Sequence, residues 1–154
     1  MKTVLFFFFY LLSFQMVDAQ ITMAEKADWK LLGKLKSLGT TLASLQYIES
    51  GRDTTYFLLM KDFTKRGDNA EAQYFSITFS GIDNTLEKFY QLMQSFFTEE
   101  NRKNKNYIQS FRLGEQMVYL QHCILIIGKG VRLGTKEGYI NLSKGDVGKL
   151  FNKK

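Results

Sequence analysis

Proline is absent from the 154-residue chain, and cysteine and histidine occur once each, side by side, as Cys123 and His122. Without proline there is no rigid turn former and no cis-proline step in folding, so turns fall to Gly, Asn, Asp and Ser. A single cysteine excludes an internal disulfide, and stability must come from packing. Zinc chemistry needs several converging His, Cys or carboxylate donors. Adjacent residues of a strand point to opposite faces, which keeps His122 and Cys123 from acting as a nucleophile–base dyad. A Ser/His/Asp triad would have to draw on His122, which sits in the most apolar run after the leader, where a structural imidazole is the expected role. Cys123, within HCILII, is expected to be buried and inert.

Phosphate-loop signatures are missing too. In GKGVRLGTKEG the GxG of Gly128 and Gly130 is followed by Leu133 where GxGxxG demands glycine. Five residues after Gly128 and Gly130 stand Leu133 and Thr135, so the Walker spacing fails as well. The flanking runs look like strands, and hairpin turns account for the glycines. GDNAE, at residues 67–71, lacks the alternating acidic spacing of a calcium loop and reads as a surface loop. The Asn141-Leu142-Ser143 sequon bears on a eukaryotic secretory pathway only. No short motif marks a carboxylate pair for glycoside hydrolysis. Lys88, Phe89 and Tyr90 fall at helical spacing and read as core rather than as a stacking platform, and RKNK at 102–105 reads as a solvated linker. Accordingly no catalytic, cofactor-binding or metal-ligating set is assigned, and no cofactor.

What is present begins with a leader. MKTVLFFFFYLLSFQMVDAQ combines Lys2, an apolar core of eleven residues from Val4 to Phe14, and the small residues Val17 and Ala19 before Gln20. That is the pattern of a secretory signal peptide over 1–19, and its core is shorter than the roughly 20 residues of a spanning helix. Removing nineteen of 154 residues leaves 135, enough for one domain with its own core over 20–154. No transmembrane helix is expected in the mature chain. Five of the fourteen Phe residues leave with the leader, and the remaining composition is that of a soluble globular protein. Net charge stays at +6, since Lys2 and Asp18 cancel, and the sequence pI is about 9.3. An exported basic domain meets lipid headgroups, polysaccharides or acidic partners rather than nucleic acid.

Along the chain, WKLLGKLKSL at 29–38 reads as a strand interrupted at Gly33, with a short helix as the alternative. TLASLQYIES and TTYFLLMKDF, joined by a turn at SGRD, form a hairpin signal. Both faces of the second run are apolar, which predicts a central strand. QYFSITFS alternates as a strand. In the next segment Leu86, Phe89, Tyr90, Met93, Phe96 and Phe97 lie at helical spacing, and Asp83 or Asn84 is the expected cap, with Asn84 and Glu87 at capping-box spacing. TEENRKNKN reads as a charged linker. YIQSFRL and QMVYLQHCILII follow, the second long enough to predict a bulge near Gln121. VRL, YINL and a capped helix in SKGDVGKLFNKK close the chain, with Leu150 and Phe151 inward.

Two echoes suggest internal repetition. ITFSGID at 77–83 matches INLSKGD at 140–146, and YIES at 47–50 matches YIQS at 107–110. With or without a repeat, the order strands, helix, strands, helix predicts an α+β fold with an antiparallel sheet of about six to eight strands and two helices; the echoes raise two similar strand-meander-plus-helix halves at 29–98 and 106–154, against chance recurrence of short strand words. The expected function is that of a small exported domain, periplasmic or extracellular, not an enzyme, which acts by binding or structural association. The partner classes are an envelope protein, a glycan or an apolar ligand. Two alternatives stay open: a carrier of an apolar ligand, and a hydrolase built on dispersed carboxylates.

Overall fold

A computed structural model describes residues 28–64 and 72–153. The signal peptide expected at 1–19, its cleavage site and the GDNAE loop at 67–71 lie outside the described residues.

Eight strands form two four-stranded antiparallel meanders. The first contains β1 (Lys30–Ser37), β2 (Thr40–Ser50), β3 (Asp53–Lys61) and β4 (Tyr74–Ser80) in that spatial order. The second contains β5 (Ile108–Leu113), β6 (Gln116–Ile124), β7 (Lys129–Gly134) and β8 (Tyr139–Leu142), again in chain order. Period-two alternation lines up one apolar face on each sheet. Across the first sheet Gly33, Leu45, Leu58 and Ile77 stand opposite one another, and across the second Gln109, Leu120, Leu133 and Ile140 do so. As expected, segment 29–38 is a strand and β3 is central. The turn between β2 and β3 is Gly51-Arg52, with Gly51 at φ +62°.

Helix α1 (Thr85–Ser95) follows the first meander, and α3 (Lys144–Leu150) follows the second. The predicted stripe holds: Phe89, Met93 and Phe96 are buried, and Leu86, Tyr90 and Phe97 pack half-buried against them. Both helices reach across the boundary between halves. The Phe89 ring contacts Phe79 of β4, Phe111 of β5 and Phe151 beside α3. The carbonyl oxygen of Leu150 lies against Gly33 of β1, so close that a Cβ there would sit 2.1 Å from it. A single buried cluster therefore draws on both sheets and both long helices.

Several expectations change. The strands divide four and four instead of forming one sheet, because β4 runs on into α1 and β5 begins only after the polar 99–107 stretch. That stretch is not simply a linker: Glu99–Lys103 forms a short α2, with Thr98 Oγ1 accepting from the Asn101 N–H. The twelve-residue run does not bulge at Gln121. Its β6 ladder keeps register to Ile124, and the chain then leaves the sheet.

The two corners also differ. Ser143 and Asp146 make a full capping box, with Asp146 N–H donating to Ser143 Oγ at 3.1 Å and Ser143 N–H donating to Asp146 Oδ2 at 2.9 Å. At the first corner Asn84 makes no side-chain cap. Asp83 and Asn84 both sit at φ +57°, and Glu87 is engaged by Gln91 and Lys153 instead. The ITFS/INLS echo thus marks equivalent strands, β4 and β8. The YIES/YIQS echo does not, since it pairs the end of β2 with the start of β5. Strand order and helix placement are nevertheless the same in the two halves.

Candidate functional site

Beyond Ile124 the sequence Leu125-Ile126-Ile127-Gly128 closes the β6–β7 hairpin. Three of its apolar side chains face solvent: Ile124 and Ile127 are 90% exposed and Ile126 is fully so. Hairpin tips usually carry Gly, Asn, Asp or Ser, because those residues meet the turn's backbone needs at little cost in solvation. The topologically equivalent turn in the first half is the short polar Gly51-Arg52. The β6–β7 tip is longer and apolar where nothing in turn chemistry asks for it.

The tip is nonetheless ordered by local structure. Leu125 N–H donates to the Gly128 carbonyl at 2.9 Å. The Leu125 side chain folds back over Gly130, where a Cβ would come within 2.7 Å of Leu125 Cδ1 and of the Leu142 carbonyl. Gly130 thus leaves the room into which Leu125 settles, and the half-buried Leu125 holds its neighbours Ile124, Ile126 and Ile127 outward.

Beside the hairpin stands α2, held there by two consecutive carbonyls. His122 Nε2 lies 2.9 Å from the Asn101 carbonyl oxygen. A carbonyl only accepts, so Nε2 carries the proton. Lys129 Nζ donates to the Arg102 carbonyl at 2.9 Å. The His122 ring packs edge-on against Phe96, with ring centres 5.2 Å apart, and Tyr107, which contacts Phe96, completes the cluster. Asn101 Nδ2 ties back to the Ser95 carbonyl at the end of α1. His122 therefore has the structural place expected for it, and its work is to dock α2 onto β6.

The docked helix creates a surface depression of about 490 Å³ lined by Phe97, Glu99, Arg102, Lys103 and Lys129. Glu99 is ion-paired with Lys103 at 2.7 Å. Arg102 and Lys129 form no ion pair among the described residues. The result is an apolar tip with a cationic shoulder. Other depressions among the described residues include one of about 510 Å³ between β4 and the β5–β6 turn and one of about 440 Å³ around Met117 and Tyr119.

Cys123 projects away from His122, on the opposite face of β6, and is buried next to Gly130. Burial pushes its thiol pKa up, partly opposed by the nearby Arg132 guanidinium and the Gly130 backbone. Among the described residues no three His, Cys, Asp or Glu side chains converge as metal ligands. Asn141 of the sequon accepts from Arg132 Nε at 3.0 Å. Arg132 also stacks 4.0 Å from the centre of the Tyr139 ring.

The sequence led us to expect a buried Cys123 within a long strand bent near Gln121, and RKNK in solvent as a linker. The structure buries Cys123 and exposes Ile124, Ile126 and Ile127, and Lys129, paired across the hairpin with Ile124, bonds to the Arg102 carbonyl. The signal was there in outline: the run outlasts an ordinary strand and ends on Gly128-Lys129-Gly130, a turn. Comparison with protein-family models, with curated proteins and with solved structures returned no match.

Proposed function

We propose that the protein is a small exported, non-enzymatic domain that acts by binding or structural association, with the β6–β7 tip as its contact surface. The observation that carries this reading is the outward display of Ile124, Ile126 and Ile127 on an ordered hairpin. Water-facing apolar side chains at a protruding tip cost solubility and add nothing to the fold, which fits a surface kept for a partner. The commitment of His122 to Asn101 and Phe96 weighs against a hydrolase that depends on this imidazole. The tight filling of the interior by Phe96, Met93, Leu45 and Leu120, all at 1% exposure or less, weighs against an interior ligand carrier. Export rests on the leader alone.

The test is site-specific photo-crosslinking in intact cells, with the probe at Ile126 or at Arg52 of the equivalent turn. Adducts at position 126 and none at 52 are the expected result. Equal labelling at both positions, or none at either, refutes the tip as the contact surface. Export is checked separately by N-terminal sequencing of the mature protein, which should begin at Gln20.

A further inference from the structure

Resting on the reading of the tip as the contact surface, we propose that its partner is an anionic lipid surface: Ile124, Ile126 and Ile127 enter the boundary between headgroups and acyl chains, while Arg102, Lys103 and Lys129 meet the lipid phosphates. Three features favour a bilayer over a protein partner. Leu38, Leu31, Ile82, Ile108 and Met117 are exposed one by one elsewhere, whereas Ile124, Ile126 and Ile127 stand together on one hairpin tip, and three side chains fall far short of the roughly 800 Å² per partner that a stable protein interface buries. A protruding side chain that enters a bilayer is covered on every side, whereas a flat partner covers only its end.

The charge beside the tip is also of the right sign. Three cations and one carboxylate line the depression at the shoulder, and that carboxylate, Glu99, is already paired with Lys103. Basic side chains set just behind an apolar tip are placed to sit at phosphate depth when the tip is inserted, and each adds attraction to anionic headgroups. The chain as a whole carries +6, which adds long-range attraction at low ionic strength. Finally, Lys129 Nζ is pinned to the Arg102 carbonyl and Leu125 is packed over Gly130, so tip and shoulder are presented together and little ordering is left to binding. Among the described residues no helix is long and apolar enough to cross a membrane. Three apolar side chains at the headgroup boundary give a peripheral, reversible association.

The experiment is sedimentation of the mature chain with vesicles of pure phosphatidylcholine or of phosphatidylcholine with about a third phosphatidylglycerol, at low and high salt. The expected result is binding to the anionic vesicles that weakens with salt. The Ile126→Asp/Ile127→Asp variant should lose at least tenfold in partitioning with its thermal midpoint unchanged, because both side chains are solvent-exposed in the folded state. Arg102→Glu/Lys129→Glu should lose binding to anionic vesicles as well, and Arg52→Glu, in the equivalent turn of the other half, should lose less. Wild-type protein that stays in the supernatant with anionic vesicles overturns the lipid proposal, as does a tip variant that sediments like wild type. If the vesicles are ignored while crosslinks at position 126 go to a protein or to a second copy of the chain, the lipid assignment falls and the contact surface stands. If crosslinking at 126 fails too, both fall.

Discussion

Replacing Gly33 by alanine adds one methyl group at the point where the last turn of α3 rests on β1. The new Cβ would lie 2.1 Å from the Leu150 carbonyl oxygen and 2.5 Å from that of Lys149. Ordinary contact begins near 3.4 Å, so strand and helix must separate by about 1 Å, and both obstructing atoms are backbone, which cannot rotate aside. The helix is seated by Val147, Leu150 and Phe151, none more than 3% exposed. Burial of three such side chains stabilises by about 1.5–3 kcal/mol each. A gap of 0.5–1 Å forfeits roughly a quarter to a half of the dispersion contact. The expected cost is therefore about 1–4 kcal/mol, or a fall of about 3–20 °C in Tm for a domain of this size.

Gly145 supplies the control, because it lies in the first turn of the same helix with only Ser143 Oγ near its absent Cβ, at 3.9 Å. Gly145→Ala should stabilise by about 0.5–1 kcal/mol through helix propensity. Urea denaturation followed by circular dichroism measures both variants. A Gly33→Ala protein as stable as wild type would refute the seating of α3 on β1, and with it the exchange of helices between the halves.

Other expectations follow from single contacts. Ser143→Ala removes one side of the capping box and should cost about 1 kcal/mol, measured as a shift in denaturation midpoint without a change in slope. His122→Ala leaves the Asn101 carbonyl without its donor and opens space beside Phe96. It should destabilise by about 1–3 kcal/mol and raise amide exchange in α2 and the β6–β7 tip before the rest of the protein. The Glu87 carboxyl, held below its ordinary range by hydrogen bonds from Lys153 and Gln91, stabilises the fold at neutral pH, and that contribution is lost as pH falls through its folded-state pKa. Lys153 is shifted up by the same contact, so its contribution is present at neutral pH and lost as pH rises through its own folded-state pKa. In Lys153→Ala the Glu87 titration followed by NMR should move up toward the ordinary carboxylate value; an unmoved titration would rule out the contact between α1 and the chain end.

Much of this was legible in local pattern. Six to eight strands were legible as apolar or alternating runs between turn residues, with a short helix left open at 29–38, and the Leu86–Phe97 stripe identified α1. Ser143 and Asp146 announced their cap because both partners of that bond lie within four residues of each other. The cap expected at Asn84 failed where a distant residue intervened: Lys153, 66 positions away, holds the Glu87 carboxylate that a capping box would have used. The candidate site shows the same division. The expected bend near Gln121 did not form, and the exposure of Ile124, Ile126 and Ile127 was not legible, because apolar content says that a segment can be buried, not that a second surface is there to bury it.

By itself, then, the sequence determined the period of each segment, its apolar face and the turns that separate the segments, since these depend on interactions a few residues apart. Tertiary structure alone decided that β4 and β5 part into different sheets, that each long helix leans on the other half, and that Ile124, Ile126 and Ile127 stand in solvent at the β6–β7 tip. Those outcomes depend on which distant surfaces meet. A face can advertise that it is apolar, but the partner that covers it, or leaves it bare, is chosen by the whole chain at once.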